Sequence, residues 1–207
     1  MAMAAGKAET LGKAVIAAVE KGDHAKLEEL LKAGAPVAAR DARRRTALLI
    51  AVAKGDARAA RRLVAAGADI NAQDNIKDSP FLLAGRNGDV AILKLLIPHK
   101  PDFTKVNRYG GSALIPAAER GHVDAVKLLI ACGVPVDHVN RLGWTALLEA
   151  IILSDGGPRH QAIVKALIAA GADVDLADKE GVTPLRHARA RGYDKIAAML
   201  KAAGARG

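Results

Sequence analysis

A single period governs this chain: Thr46, Ser79, Ser112, Thr145 and Thr183 open equivalent segments at intervals of 33, 33, 33 and 38 residues. A fixed repeat of that length confines the fold to a linear array of like units, each burying its apolar face only against its neighbours. Whole columns keep the same step. Five residues beyond each hydroxyl stands an alanine, at Ala51, Ala84, Ala117, Ala150 and Ala188, with Ala18 in the matching place of the first unit. A leucine column runs Leu30, Leu63, Leu96, Leu129, Leu167 and Leu200. Two glycine columns follow, Gly22, Gly55, Gly88, Gly121 and Gly192, then Gly34, Gly67, Gly133, Gly171 and Gly204.

Each column has a physical job in a helix-turn-helix unit. A Ser or Thr oxygen accepts from unpaired amides at a helix start, and Pro80 and Pro184 directly afterwards sit where a missing N–H costs nothing. The first glycine column ends that helix in a left-handed residue, and the second ends the next helix in the same way. Small alanines let adjacent helices approach, while the leucines form the stripe that each second helix buries. Neither helix is long enough to be stable alone.

The composition agrees with such a body. Aromatics make up only 2% of 207 residues, so the core is aliphatic and closely packed, and the lone cysteine, Cys132, excludes an internal disulfide framework. Thirty-one Lys and Arg against 22 Asp and Glu leave a formal charge of +9, which favours solubility and attracts acidic partners. The apolar run from Ala14 to Val19, closed by Lys13 and Glu20, is too short for a membrane span and lacks a signal-peptide layout. The opening Met-Ala-Met-Ala-Ala-Gly reads as an added start, and residues 1–7 are expected to be such an addition or disordered. The expected location is soluble and cytoplasmic, or periplasmic if an export signal once preceded it.

With Thr183-Pro184-Leu185, Gly171-Ala172-Asp173-Val174-Asp175, Gly67-Ala68-Asp69-Ile70-Asn71 and Gly121-His122-Val123, the chain resembles the ankyrin-repeat family, whose signature is Thr-Pro-Leu-His-x-Ala. The wording of units four and five resembles bacterial members. The resemblance implies an all-α solenoid of stacked helix pairs with β-hairpin-like tips, forming one domain over 8–207. Its repeats are taken as 8–40, 41–73, 74–106, 107–139, 140–177 and 178–207. The signature histidine is replaced by Leu49, Leu82, Ile115, Leu148 and Arg186, so packing must take over its hydrogen bond. In the third unit Lys100 stands in place of the terminal glycine, between Pro98 and Pro101, which predicts an irregular helix end and the weakest point of the stack.

Ankyrin-type proteins dock partners on a concave face of tips and inner helices, so the resemblance implies a protein-binding scaffold rather than an enzyme. Candidate partner-binding residues are Arg43, Arg45, Ile76, Arg108, Tyr109, Arg141, Leu142 and Trp144 on the tips, with Arg86, Glu119, Arg120, Glu149 and His187 on the inner helices. Tyr109 and Trp144, flanked by Arg108 and Arg141, are the leading site, since rings and guanidinium groups dominate binding hot spots. Trp144 packing across its own hairpin is the competing reading. Arg40, Arg43, Arg44 and Arg45 form a basic cluster that suits an acidic protein or a phosphate, or is merely a solvated tip.

The fifth unit carries five extra residues, and its Asp155, Gly156, Gly157, Arg159 and His160 form a candidate anion-binding loop ahead of a helix opened by Pro158. A tolerated surface insertion is the simpler reading. One Trp, two Tyr and two Phe give little of the stacking a nucleic-acid surface needs. No triad or metal-ligand spacing is present, and Glu149 near Glu119 reads as a groove wall rather than an acid/base pair. His122 and Tyr193 are expected to be structural, and Cys132 to be a small buried apolar residue. The expected partner is a protein, the alternative being an anionic ligand or acidic surface held by the arginine-rich tip and the 154–160 loop; no cofactor, metal or membrane insertion is expected, and the chain is expected to be monomeric.

Overall fold

The computed structural model describes residues 2–206. They form twelve α-helices and no strand, with a single isolated bridge between Arg40 and Thr46. The helices come in pairs: α1 (Ala2–Lys21) with α2 (His24–Lys32), α3 (Ala47–Ala53) with α4 (Ala57–Ala65), α5 (Pro80–Asn87) with α6 (Val90–Leu96), α7 (Leu114–Glu119) with α8 (Val123–Ala131), α9 (Ala146–Ile152) with α10 (Pro158–Ala169), and α11 (Pro184–Ala190) with α12 (Asp194–Ala202). Because α1 begins at Ala2, residues 2–7, read from sequence as lying ahead of the first repeat, are helical; Met1 lies outside the described residues.

The chain divides into two compact units. One runs up to Ala84 and resumes over Ala91–Asp102; the other holds Gly85–Val90 and continues from Phe103. In the first unit α1 packs on α2 and α3, and α3 and α2 pack on α4. In the second, α7 packs on α8 and α9, α9 on α10 and α11, and α10 on α8 and α12. Stacking like on like is what the alanine and leucine columns are for, and all of their members are buried, Leu63, Leu129 and Leu167 completely.

The caps follow the sequence register with one exception. Thr46, Ser79, Thr145 and Thr183 accept from the amides of Leu49, Leu82, Leu148 and Arg186 at 3.2–3.3 Å. Ser112 does not cap. Helix α7 starts one residue later than the pattern predicts, after Ala113, and the buried Ser112 Oγ has no hydrogen-bond partner. The third repeat ends irregularly as expected: α6 stops at Leu96, a 3-10 turn covers Ile97–His99, and Lys100 takes the left-handed φ of 57° that glycine adopts elsewhere.

A ring ladder ties the second unit together. The His122 ring lies over Gly88, where a Cβ would come within 2.4 Å of it, and bonds the Arg86 backbone. His160 lies against Gly121 and its Nε2 meets Glu119 O at 3.0 Å; Tyr193 lies against Gly156 and donates to Ser154 O at 2.5 Å. The two histidines cover the end of the preceding repeat's first helix and use carbonyls that the helix itself leaves unpaired, whereas Tyr193 uses a carbonyl in the loop two residues beyond α9.

Candidate functional site

The tips are built by an Asp/Asn column that the sequence reading did not single out: Asp41, Asp74, Asn107, Asn140 and Asp178. In each, one side-chain oxygen accepts the amides two and four residues on. Asp41 takes Arg43 and Arg45, Asp74 takes Ile76 and Asp78, Asn107 takes Tyr109 and Gly111, Asn140 takes Leu142 and Trp144, and Asp178 takes Glu180 and Val182, all at 2.8–3.1 Å. The column residue's own N–H donates to the carbonyl four on, closing a tight loop. The fourth residue of every loop has a positive φ, supplied by Arg44, Lys77, Gly110, Gly143 and Gly181. That geometry pushes the third residue outward as a finger.

The fingers are Arg43, Ile76, Tyr109, Leu142 and Glu180. Among the described residues five large apolar side chains are exposed, and three of them, Ile76, Tyr109 and Leu142, are fingers. Within the second unit Tyr109 is 54% and Leu142 51% exposed. The Arg108 guanidinium stands over the Tyr109 ring, 4.7 Å from its centre. Arg141 donates its backbone N–H to Tyr109 O at 2.9 Å and a guanidinium N–H to Arg108 O at 3.1 Å, so tips four and five are joined. Lys179 Nζ donates to Arg141 O and extends the join to tip six.

This arrangement revises the leading pair. Trp144 is half-buried and holds the last position of its loop, the register of Gly111 in tip four, so the residue equivalent to Tyr109 is Leu142. Behind the fingers, Glu149 on α9 is 6% exposed and accepts from Asn140 Nδ2 at 2.8 Å. Burial pushes its carboxyl up to about 7, the nearby Glu119 carboxylate adds to the rise, and the Asn140 bond opposes it. Arg86 and Glu119 are half-buried and Arg120 is exposed at the end of α7. His187 lies at the equivalent place on α11, with Nε2 2.6 Å from Asp178 Oδ2 and Nδ1 3.3 Å from Arg191. Burial of Asp178 acts to raise its pKa, but the Val182 amide and His187 outweigh it and the carboxyl ends below its ordinary value.

In the first unit the basic cluster is mostly spent on its own tip. Arg45 is half-buried between Asp41, at 2.6 Å, and Glu20, at 3.1 Å. Arg40 donates to the carbonyls of Arg44 and Gln73 at 2.8 and 2.7 Å. Arg43 and Arg44 stay exposed.

The 154–160 loop turns its chemistry inward. His160 is buried and both ring nitrogens are engaged, Nε2 by Glu119 O and Nδ1 by Asp155 Oδ1 at 3.2 Å. Asp155 also accepts the Gly157 N–H at 2.9 Å, so a carboxylate of the chain occupies the turn ahead of α10 that was the candidate place for an external anion. The Gly157 and His160 contacts hold the Asp155 carboxyl below its usual range. Arg159 alone of the basic pair is exposed. Cys132 is half-buried at the end of α8, donates to Leu129 O at 3.2 Å, and burial raises its thiol pKa. Among the described residues no three His, Cys, Asp or Glu side chains come together as a metal site, and no helix is long and apolar enough to cross a membrane.

Comparison with known proteins agrees with the repeat reading. Models of ankyrin repeats match residues 81–176 (three copies) and 57–97 (many copies). The chain is 52% identical over 58 residues to YahD of Escherichia coli (strain K12), named as an ankyrin repeat protein; the matched stretch spans 28% of this chain and 29% of that one. Among solved structures, an ankyrin repeat domain from Acinetobacter baumannii AYE is 51% identical, with a TM-score of 0.90 over 93% of this chain and 98% of that chain. The ankyrin repeat protein EF0377 is 42% identical, with a TM-score of 0.89 over 92% and 97%. Signature columns, helix pairs and a relative this similar over nearly its full length lead to one conclusion: the chain belongs to the ankyrin-repeat family.

Proposed function

We propose that the second unit binds a protein partner through the paired fingers Tyr109 and Leu142, with Arg108 and Arg141 beside them. Ankyrin repeats generally mediate protein–protein interaction, and the finer reading rests on one observation. Two large apolar side chains more than half exposed stand at the same register on adjacent tips whose backbones are bonded together. Exposing such groups in water is unfavourable, so a surface that fixes them outward is suited to covering them with a partner. The stacked Arg108 adds a guanidinium beside the ring, which favours a partner surface that is apolar with acidic neighbours.

The test is affinity capture from the source organism followed by quantitative comparison of the captured proteins. A Tyr109→Ala, Leu142→Ala double variant keeps its helicity and loses at least one partner that both the parent chain and an Arg58→Ala, Arg61→Ala control on α4 retain. Capture of the same partners by the double variant at the same level refutes the assignment. Truncating a finger that acts as an anchor should weaken binding by about 2 kcal/mol or more, roughly thirtyfold.

A further inference from the structure

The register that braces a tip from behind differs from repeat to repeat, and the difference is chemical. Asn140 is buried and uses both ends of its amide: Oδ1 accepts the Leu142 and Trp144 amides at 2.9 and 3.0 Å, and Nδ2 donates to Glu149 Oε1 at 2.8 Å. An amide side chain satisfies the tip only when its oxygen faces it. The Glu149 carboxyl fixes that orientation by offering an acceptor oxygen, Oε1, to the nitrogen end. In the sixth repeat Asp178 accepts the Glu180 and Val182 amides with Oδ1 while Oδ2 meets His187 Nε2 at 2.6 Å, and residue 187 holds the register of 149. Arg191 donates toward His187 Nδ1 at 3.3 Å, leaving Nε2 to carry the hydrogen toward Asp178. In the fourth repeat this register is Pro116, which has no polar side-chain atom, and Asn107 holds the Tyr109 and Gly111 amides at 2.8 and 3.0 Å without a helix brace.

We propose that Glu149 and His187 are positioning residues that lock fingers Leu142 and Glu180 from the inner helices, whereas finger Tyr109 is held by its own tip. The inference rests on the reading of the fingers as the contact surface for its functional meaning. It makes repeats five and six rigid presenters and repeat four an adjustable one. Removing the brace leaves the Asn140 Nδ2 buried without its acceptor and free to exchange places with Oδ1, which releases the two tip amides.

Amide hydrogen exchange followed by NMR on the full chain tests this directly. In Glu149→Leu the Leu142 and Trp144 amides lose protection by about fivefold or more, while the Tyr109 and Gly111 amides of tip four stay as in the parent. Glu149→Gln, which keeps an acceptor oxygen, restores the protection. His187→Leu does the same to the Glu180 and Val182 amides and serves independently if the first variant folds poorly. Equal loss at all four monitored amides of tips four and five, or unchanged protection in both leucine variants, or failure of the Gln variant to restore it, overturns the proposal. The readout needs no partner, so its failure leaves the capture experiment standing, and a negative capture leaves the brace standing.

Discussion

Glu149→Gln should stabilise the protein at neutral and mildly alkaline pH and do so much less at pH 5. The carboxyl is 6% exposed, lies near Glu119 and is held at about 7 against an ordinary 4.5. Between those values the folded chain keeps a proton that the unfolded chain has already released. Stability therefore falls as pH rises from about 4.5 to about 7 and levels off above, opposite to the usual behaviour of a salt-bridged carboxylate. At about 1.4 kcal/mol for each tenfold in an acid constant, the whole window amounts to about 3–4 kcal/mol, and the part between pH 5 and pH 8 to about 2–3 kcal/mol. Glutamine keeps the acceptor for Asn140 and has no proton to lose, so the gap between variant and parent should widen by that amount over the interval. Urea unfolding followed by far-ultraviolet circular dichroism at the two pH values measures it. A gap that changes by less than about 0.5 kcal/mol would show that Glu149 ionises freely in the folded chain and that the burial argument is wrong.

Two further changes probe the places where the repeat departs from its own pattern. Lys100→Gly should stabilise by about 1 kcal/mol, because a φ of 57° strains a side-chain-bearing residue and the Lys100 carbonyl, which accepts from Asn71 Nδ2, is unaffected; a lower urea midpoint would contradict this. Ser112→Ala should be neutral or raise stability by up to about 1 kcal/mol, since the buried hydroxyl has no partner to lose. Destabilisation by more than about 1 kcal/mol would mean that this oxygen does cap α7.

The helical frame was legible because each recurring residue answers one local question. A hydroxyl satisfies amides, glycine turns left-handed and alanine admits a neighbour, and none of these depends on what lies elsewhere in the chain. Even the third repeat's failure was readable, since Pro98 and Pro101 act on their own backbone. The Asp/Asn column has the same spacing and was equally available, yet it is recognised only when residues two and four places on are asked where their amides go. The inward use of the 154–160 loop was not legible for a different reason. Arg159 and His160 are both basic in the sequence, but the ring ladder draws His160 onto Glu119 O, forty-one residues back, and Asp155 then takes the space left at the turn. Trp144 was paired with Tyr109 on residue type, and the Asx loop shows that register, not ring character, decides which side chain points out.

That distinction explains how one frame carries fingers of different chemistry. The bonds that shape each tip run from backbone amides to the column residue, so the finger's own side chain contributes nothing to holding the loop. Arg43, Ile76, Tyr109, Leu142 and Glu180 accordingly occupy one geometric position with cationic, aliphatic, aromatic, aliphatic and anionic chemistry. The helix columns admit no such variety, because Ala117 or Leu129 replaced by a charged residue would bury that charge without a counter-ion. The frame therefore leaves the chemistry of the fingers open, whereas folding holds the columns fixed. Glu149 stands between the two: it is buried like a core residue, it carries an ionisable group that the core would exclude, and the one hydrogen bond described for its carboxyl leads to the tip.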